Sequence, residues 1–225
     1  MRPRALLGLF SALGVAFAAS CVTSTGPVPL TDTTSVDDSG RWPEILREHT
    51  RRAEVFDWTV RQIDLRATLV TPRLRSAFIA ARPGFHGRVA SDMAMDLLAL
   101  GRPPDEGVDA PVETRPRAEE QVILYVCLYV TEAVHRDIAA SYSIWDVKLA
   151  RGDAEVAPLA IEQEKYSPAL KEILPHADRF DEIYVVRFPL VDAKTGTALL
   201  SPGGDPLELK VESALGRAAV SWVLE

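Results

Sequence analysis

A chain of 225 residues that is 47% hydrophobic, with 25 basic and 32 acidic side chains and a formal net charge of −7, has the composition of a globular protein. The acidic balance argues against nucleic acid or anionic lipid headgroups as partners, because both are held through basic patches. With two cysteines, Cys21 and Cys127, no framework of disulfides can hold a chain of this size.

Arg2 and Arg4 precede an apolar run from Ala5 to Ala19, the charged start and apolar middle of a secretory signal peptide. The run falls about five residues short of the roughly 20 needed for a permanent transmembrane helix. It ends in Ala18-Ala19-Ser20-Cys21. These residues resemble the lipobox of bacterial lipoprotein precursors, with Ala18 in place of the commoner leucine. The resemblance covers residues 1–21. It implies cleavage before Cys21, a diacylglyceryl group on the Cys21 thiol and often acylation of the new amino group. Two or three acyl chains exceed what stable anchoring needs. Val22 rather than Asp after the cysteine implies, in that family, transfer to the outer membrane. Loss of residues 1–20 would leave 23 basic and 32 acidic residues, a net charge of −9. With Cys21 lipidated, Cys127 has no partner within the chain, so packing alone must supply stability.

Residues 21–40 read as a lipidated, flexible tether: Thr, Ser, Asp, Pro and Gly dominate, without an apolar period. A flexible coil of that length has a mean reach of about 25 Å. The globular domain is expected over 41–225, with a helical subregion at 41–100, a Pro-rich crossover at 101–120 and a β-rich part at 121–225. Trp42, Ile45, Leu46, His49, Ala53 and Phe56 recur at helical spacing and predict a helix over 42–56, with Arg47, Glu48, Arg51 and Arg52 on the opposite face. Glu48 and Arg52 form a favourable i,i+4 pair on it. Ile63, Leu65, Ala67 and Leu69 then alternate with polar residues, which predicts a half-buried strand over 62–70. Thr71-Pro72 supplies a cap and first-turn proline for a short helix through Ala81, and Val89, Met93, Leu97 and Leu100 give a second. Pro103, Pro104, Pro111 and Pro116 mark the crossover.

The rest reads as short strands. Val122–Val130 is apolar on both faces and should be central and doubly covered. Strands at 145–149 and 207–212 alternate and should have one wet face. Others are expected near 156–161, 183–188 and 218–224, with a short helix at 167–174. Seven strands suit an immunoglobulin-like antiparallel sandwich, mainly β and α+β overall, with an N-terminal helix and a two-helix insertion packed on it.

No GxSxG, GxxxxGK[ST], HExxH or GxGxxG pattern occurs, and His49, His86, His135 and His176 are scattered at spacings no common metal site uses. The densest polar group is His176, Asp178, Asp181 and Glu182. It offers oxygen ligands for Ca²⁺ or a His–acid pair, but the regular alternation and glycine of a calcium loop are missing, and Asp residues capping local turns are the favoured explanation. Cys127, among apolar neighbours, reads as a small core residue rather than a nucleophile. Arg151-Gly152-Asp153 spells an adhesion tripeptide where two strands need a turn. Trp145 and Trp222 read as core; Tyr142 and Tyr166 fall outside clear alternation.

The expectation is thus a membrane-anchored envelope lipoprotein, lipidated at Cys21, on the periplasmic face of the outer membrane. It acts without catalysis or cofactor as a binding or structural module for another envelope protein. A hydrolase or metal-dependent enzyme near His176–Glu182, and a carrier of a small apolar ligand, are the alternatives.

Overall fold

Trp42, Ile45, Leu46 and His49 share one face, and Pro43 sits in the first turn where its missing N–H costs nothing. They form helix α1 (Trp42–His49) in the computed structural model, which describes residues 26–30, 40–81 and 121–225. The expected continuation to residue 56 does not occur. Thr50 turns extended, its N–H bonds the Arg47 carbonyl and its hydroxyl bonds the Leu46 carbonyl, which satisfies the helix end. Strand β1 (Thr50–Asp57) follows at once. It pairs antiparallel with β2 (Val60–Val70) through a two-residue turn at Trp58-Thr59, with a register irregularity at Val55/Phe56. The Glu48–Arg52 pair expected on a longer helix is replaced: Arg73 pairs with Glu48, and Arg52 turns to Asp64 and Glu54.

Thr71 caps α2 (Pro72–Ala81) by accepting the Leu74 N–H. The helix expected at 89–100 and the crossover at 101–120 lie outside the described residues, as do residues 1–25, with Cys21, and 31–39. Beyond them run β3 (Gln121–Val130), β4 (Asp146–Arg151), β5 (Ala154–Val156), β6 (Ala160–Glu164), β7 (Glu182–Pro189), β8 (Leu207–Ser213) and β9 (Gly216–Trp222). Helix α3 (Pro168–Ile173), capped by Ser167, lies between β6 and β7.

The chain is mainly β. Its nine described strands form two antiparallel sheets, ordered β1-β2-β3-β7-β6 and β5-β4-β8-β9. Two strands exceed the expected seven. One is β1; the other arises because the stretch near 156–161 splits at Pro158, so that β5 joins one sheet and β6 the other.

The sheets face each other across one core, built from the alternate residues Ile63, Leu65, Ala67 and Leu69 of β2, Val122 to Val130 of β3, and Leu207, Leu209, Val220 and Trp222 opposite. A second core lies on the outer face of the five-stranded sheet. There Ile123, Tyr125, Cys127, Ile183 and Val185 meet Trp42, Ile45, Phe78, Leu170 and Ile173 from the three helices. The molecule is therefore layered helix, sheet, sheet, and β3 is central and covered on both faces. The outer face of the four-stranded sheet is wet, with Lys148 and Lys210 bridging Glu155 at 3.2 and 3.1 Å.

Two expectations about polar residues change. Arg51, expected on a solvated helix face, is fully buried, and its guanidinium donates to the carbonyls of Gly26, Glu48, Thr50 and Ser221. Residues 26–30 are not part of a free tether. Val28 bridges Leu224 in parallel, Val28 N bonds Val223 O at 2.7 Å, and Leu30 N bonds Glu225 O at 2.8 Å. The apolar Val28 side chain is buried in the inter-sheet core, which accounts for the docking.

Candidate functional site

The helices cover only part of the outer face of the five-stranded sheet. Toward the β1–β2 turn the face becomes polar, centred on Asp64. Register places Glu54 opposite Asp64 and Arg52 opposite Arg66, so acid and base alternate along each strand and the opposite charges meet on the diagonal, as in Arg52–Asp64. Asp64 is 0% exposed and accepts from three guanidiniums: Arg52 through two bonds of 2.9 and 2.7 Å, Arg61 at 2.9 Å and Arg66 at 3.0 Å. Burial alone would raise the Asp64 carboxyl, but the hydrogen bonds from Arg52 and Arg66 outweigh it and hold the group below its ordinary value.

Beside this network lies an open cleft of about 370 Å³, lined by Arg61, Arg66, Tyr129 and Arg136 together with Asp178, Phe180 and Asp181. The segment carrying Arg136 is fixed by polar tips of core aromatics. Trp145 Nε1 donates to His135 O at 2.6 Å, and the Tyr184 hydroxyl donates to Arg136 O at 3.0 Å while accepting the Ile138 N–H. Arg61 and Arg136 both lie over the Tyr129 ring, with guanidinium carbons 5.4 and 5.6 Å from its centroid.

Each cationic side chain is tethered at one nitrogen. Arg136 donates through Nε to Val130 O, and Arg61 through Nη1 to Glu54 and Asp64. The two Arg136 Nη groups, the Arg61 Nε and Nη2 groups and the Tyr129 hydroxyl have no partner among the described residues. Arg66 is fully engaged, by Asp64, Asp181 and the His176 carbonyl. Rim acids are turned inward: Asp181 Oδ2 accepts the Asp178 N–H at 2.7 Å, and Asp178 Oδ1 accepts the Phe180 N–H. The Phe180 ring is largely exposed and carries Arg179 at 4.7 Å.

The polar group read from the sequence is thus partly gathered and partly dispersed. Asp178 and Asp181 line the cleft. Glu182 instead begins β7 and accepts from Gln163 at 2.9 Å. The His176 side chain is partly buried, with its Nε2 inside; desolvation lowers its pKa to about 4, with Arg66 and Lys171 adding to the shift, and Nε2 has no partner among the described residues. No group of three or more metal-ligating side chains occurs among the described residues.

Arg151 of the Arg-Gly-Asp triplet is buried, donating to Asp205 O, Leu199 O, Ser201 Oγ and Gly203 O, while Gly152 at φ 55° makes the turn between β4 and β5. Cys127 is fully buried, and burial drives its thiol far above its ordinary pKa. Trp145 and Trp222 are core, whereas Tyr142 and Tyr166 are exposed. His49 is held inside: Nδ1 donates to Ile45 O at 2.7 Å and Nε2 accepts from the Thr71 hydroxyl at 2.8 Å. His135 is partly exposed beside Glu132, and His86 lies outside the described residues.

Sequence reasoning missed Arg61, Arg66, Tyr129 and Arg136. A signal exists in Asp64 and Arg66, which share a face of the predicted strand, but the helical period over 42–56 puts their partners Arg52 and Glu54 on a helix. No family model, no curated protein and no solved structure matches this chain. Among the described residues no helix is long and apolar enough to cross a membrane.

Proposed function

We propose that this protein is an envelope lipoprotein, anchored through Cys21 at the periplasmic face of the outer membrane. Its immunoglobulin-like sandwich is a non-enzymatic module that binds another envelope protein. The observation that carries the binding role is the cleft: two guanidiniums braced on one tyrosine ring, each fixed at one nitrogen with its other N–H groups open. Donors held in this way lose little freedom when a partner arrives, and arginine with aromatic neighbours is the composition of interaction hot spots.

The anchoring role rests on the residues before Cys21. The docked segment supports a close approach: Cys21 lies five residues from Gly26, so their separation is at most about 18 Å, shorter than the free tether expected for residues 21–40. In cells, Cys21→Ser should move the protein from the membrane to the soluble fraction, and unchanged partitioning would refute the anchor. A photo-crosslinker at Phe180 should capture an envelope protein. Capture at Phe180 equal to that at Glu208, on the other sheet, would count against the cleft.

The neutral His176 imidazole, whose Nε2 has no partner among the described residues, is the one observation that favours a hydrolase. Turnover of an ester or peptide lost in His176→Ala would replace the binding reading with it.

A further inference from the structure

We propose that the cleft recognises a carboxylate next to an apolar side chain on the partner polypeptide, received by the open N–H groups of Arg61 and Arg136 with the apolar side chain against Tyr129 and Phe180. The proposal rests on the binding role given above and names the chemistry of that site.

Three features point to it. The first is charge. The protein as a whole is acidic, yet the open donors of the cleft belong to two guanidiniums and a phenol. Asp64, Glu54 and Asp181 are already engaged by Arg52, Arg61 and Arg66, so they do not supply the counter-charge for Arg136. Asp178 is the one rim acid not paired with an arginine, and its Oδ1 faces the Phe180 N–H.

The second is geometry. A guanidinium fixed at Nε, as in Arg136, presents two parallel N–H groups outward, the fork that matches a planar carboxylate. The Tyr129 ring beneath both arginines keeps the forks from collapsing onto the sheet. The third is size and lining. About 370 Å³ holds one or two residues rather than a long segment, and the exposed Phe180 ring gives an apolar side chain a surface to leave water.

Such a carboxylate is either a chain terminus or an Asp or Glu side chain, and peptide probes separate the two. The protein is titrated, by calorimetry, with a hexapeptide ending in phenylalanine as its free acid, with the same peptide amidated, and with an amidated version carrying Glu before the phenylalanine. A free acid that binds at least about tenfold more tightly than its amide identifies a chain terminus; rescue by the internal Glu identifies a side chain. Arg136→Gln should weaken the acid about tenfold or more, and Tyr129→Phe should weaken it less, with both variants melting within a few degrees of the parent. If Arg136→Gln fails to fold, Arg136→Lys, which keeps the charge but loses the fork, serves in its place.

Equal binding of the acid and of the acid-free amide would overturn the carboxylate while leaving the cleft a binding site. No binding of any peptide at a few millimolar would overturn both. Failure of the Cys21 partitioning test bears on the anchor alone.

Discussion

Removal of Asp64 tests whether the arginine network is a structural keystone or a surface ornament. In Asp64→Ala, Arg52 and Arg61 can turn toward water, since their side chains are already 41% and 40% exposed, whereas Arg66, at 17%, cannot. Breaking a buried ion pair by deleting one partner costs about 3–5 kcal/mol when the survivor is trapped. Here two of three survivors can rehydrate, and Arg66 keeps Asp181 and the His176 carbonyl, which puts the expectation at the lower end, about 3 kcal/mol. Urea unfolding at neutral pH should show this as a lower midpoint with an unchanged slope. Glu54→Ala, which removes a carboxylate that is 27% exposed, serves as the control and should cost under about 1 kcal/mol. A loss below about 1 kcal/mol for Asp64→Ala would refute the reasoning, because it would mean that the buried carboxylate adds no more than an exposed pair.

Other outcomes follow from the same geometry. His49 is held neutral, its pKa lowered from 6.5 to about 4 by burial. The unfolded chain therefore binds the proton more readily, so His49 contributes full stability above about pH 6.5 and loses it as pH falls toward 4, by about 3 kcal/mol. His176 shifts the same way, and His49→Gln should visibly flatten the fall in urea midpoint between pH 7 and 4.5; an unchanged slope would reject the assignment. Trp58 sits at φ 55° in the β1–β2 turn and is 96% exposed, so Trp58→Gly should relieve a left-handed strain of about 1 kcal/mol and raise the melting temperature slightly. A lower melting temperature would show that Trp58 packs in a way its exposure does not suggest. Gly152→Ala places a Cβ 2.6 Å from Asp205 Oδ2 at φ 55° and should cost about 1–2 kcal/mol, read as a lower midpoint on thermal melting.

What the sequence showed well were the elements whose period is unambiguous. The β2 alternation and the doubly apolar β3 place the sheet and both of its cores, because each face is satisfied by neighbours of one kind. The segment 50–57 was illegible for a physical reason. Its apolar residues Ala53 and Phe56 continue the helical period of α1, but Arg51, Ala53 and Val55 also alternate as a strand. The choice is made by β2, which offers a hairpin partner, and by the Thr50 hydroxyl that closes the helix. A helical period over 50–57 hides the facing pairs Arg52/Arg66 and Glu54/Asp64, and with them the candidate site. Pro158, by contrast, was a legible breaker inside the stretch expected as one strand.

Strand β1 gives the molecule its polarity. At its start Arg51 gathers four carbonyls, including that of Gly26, and so fixes the point from which the chain leads back toward Cys21. At its other end, about 20 Å along the strand, the hairpin delivers Arg61 to the cleft. If Cys21 carries the proposed anchor, at most about 18 Å of chain separates it from Gly26, so the Arg51 end would lie near the membrane and the Tyr129 end would be the part of the body turned to a partner. Because β1 and β2 are bonded along their length, a ligand that draws Arg61 away from Asp64 would act on β2, the direct neighbour of the strand whose Arg51 ties down Gly26. The cleft and the docked Gly26 are therefore joined by one continuous hydrogen-bonded ladder rather than by a loop.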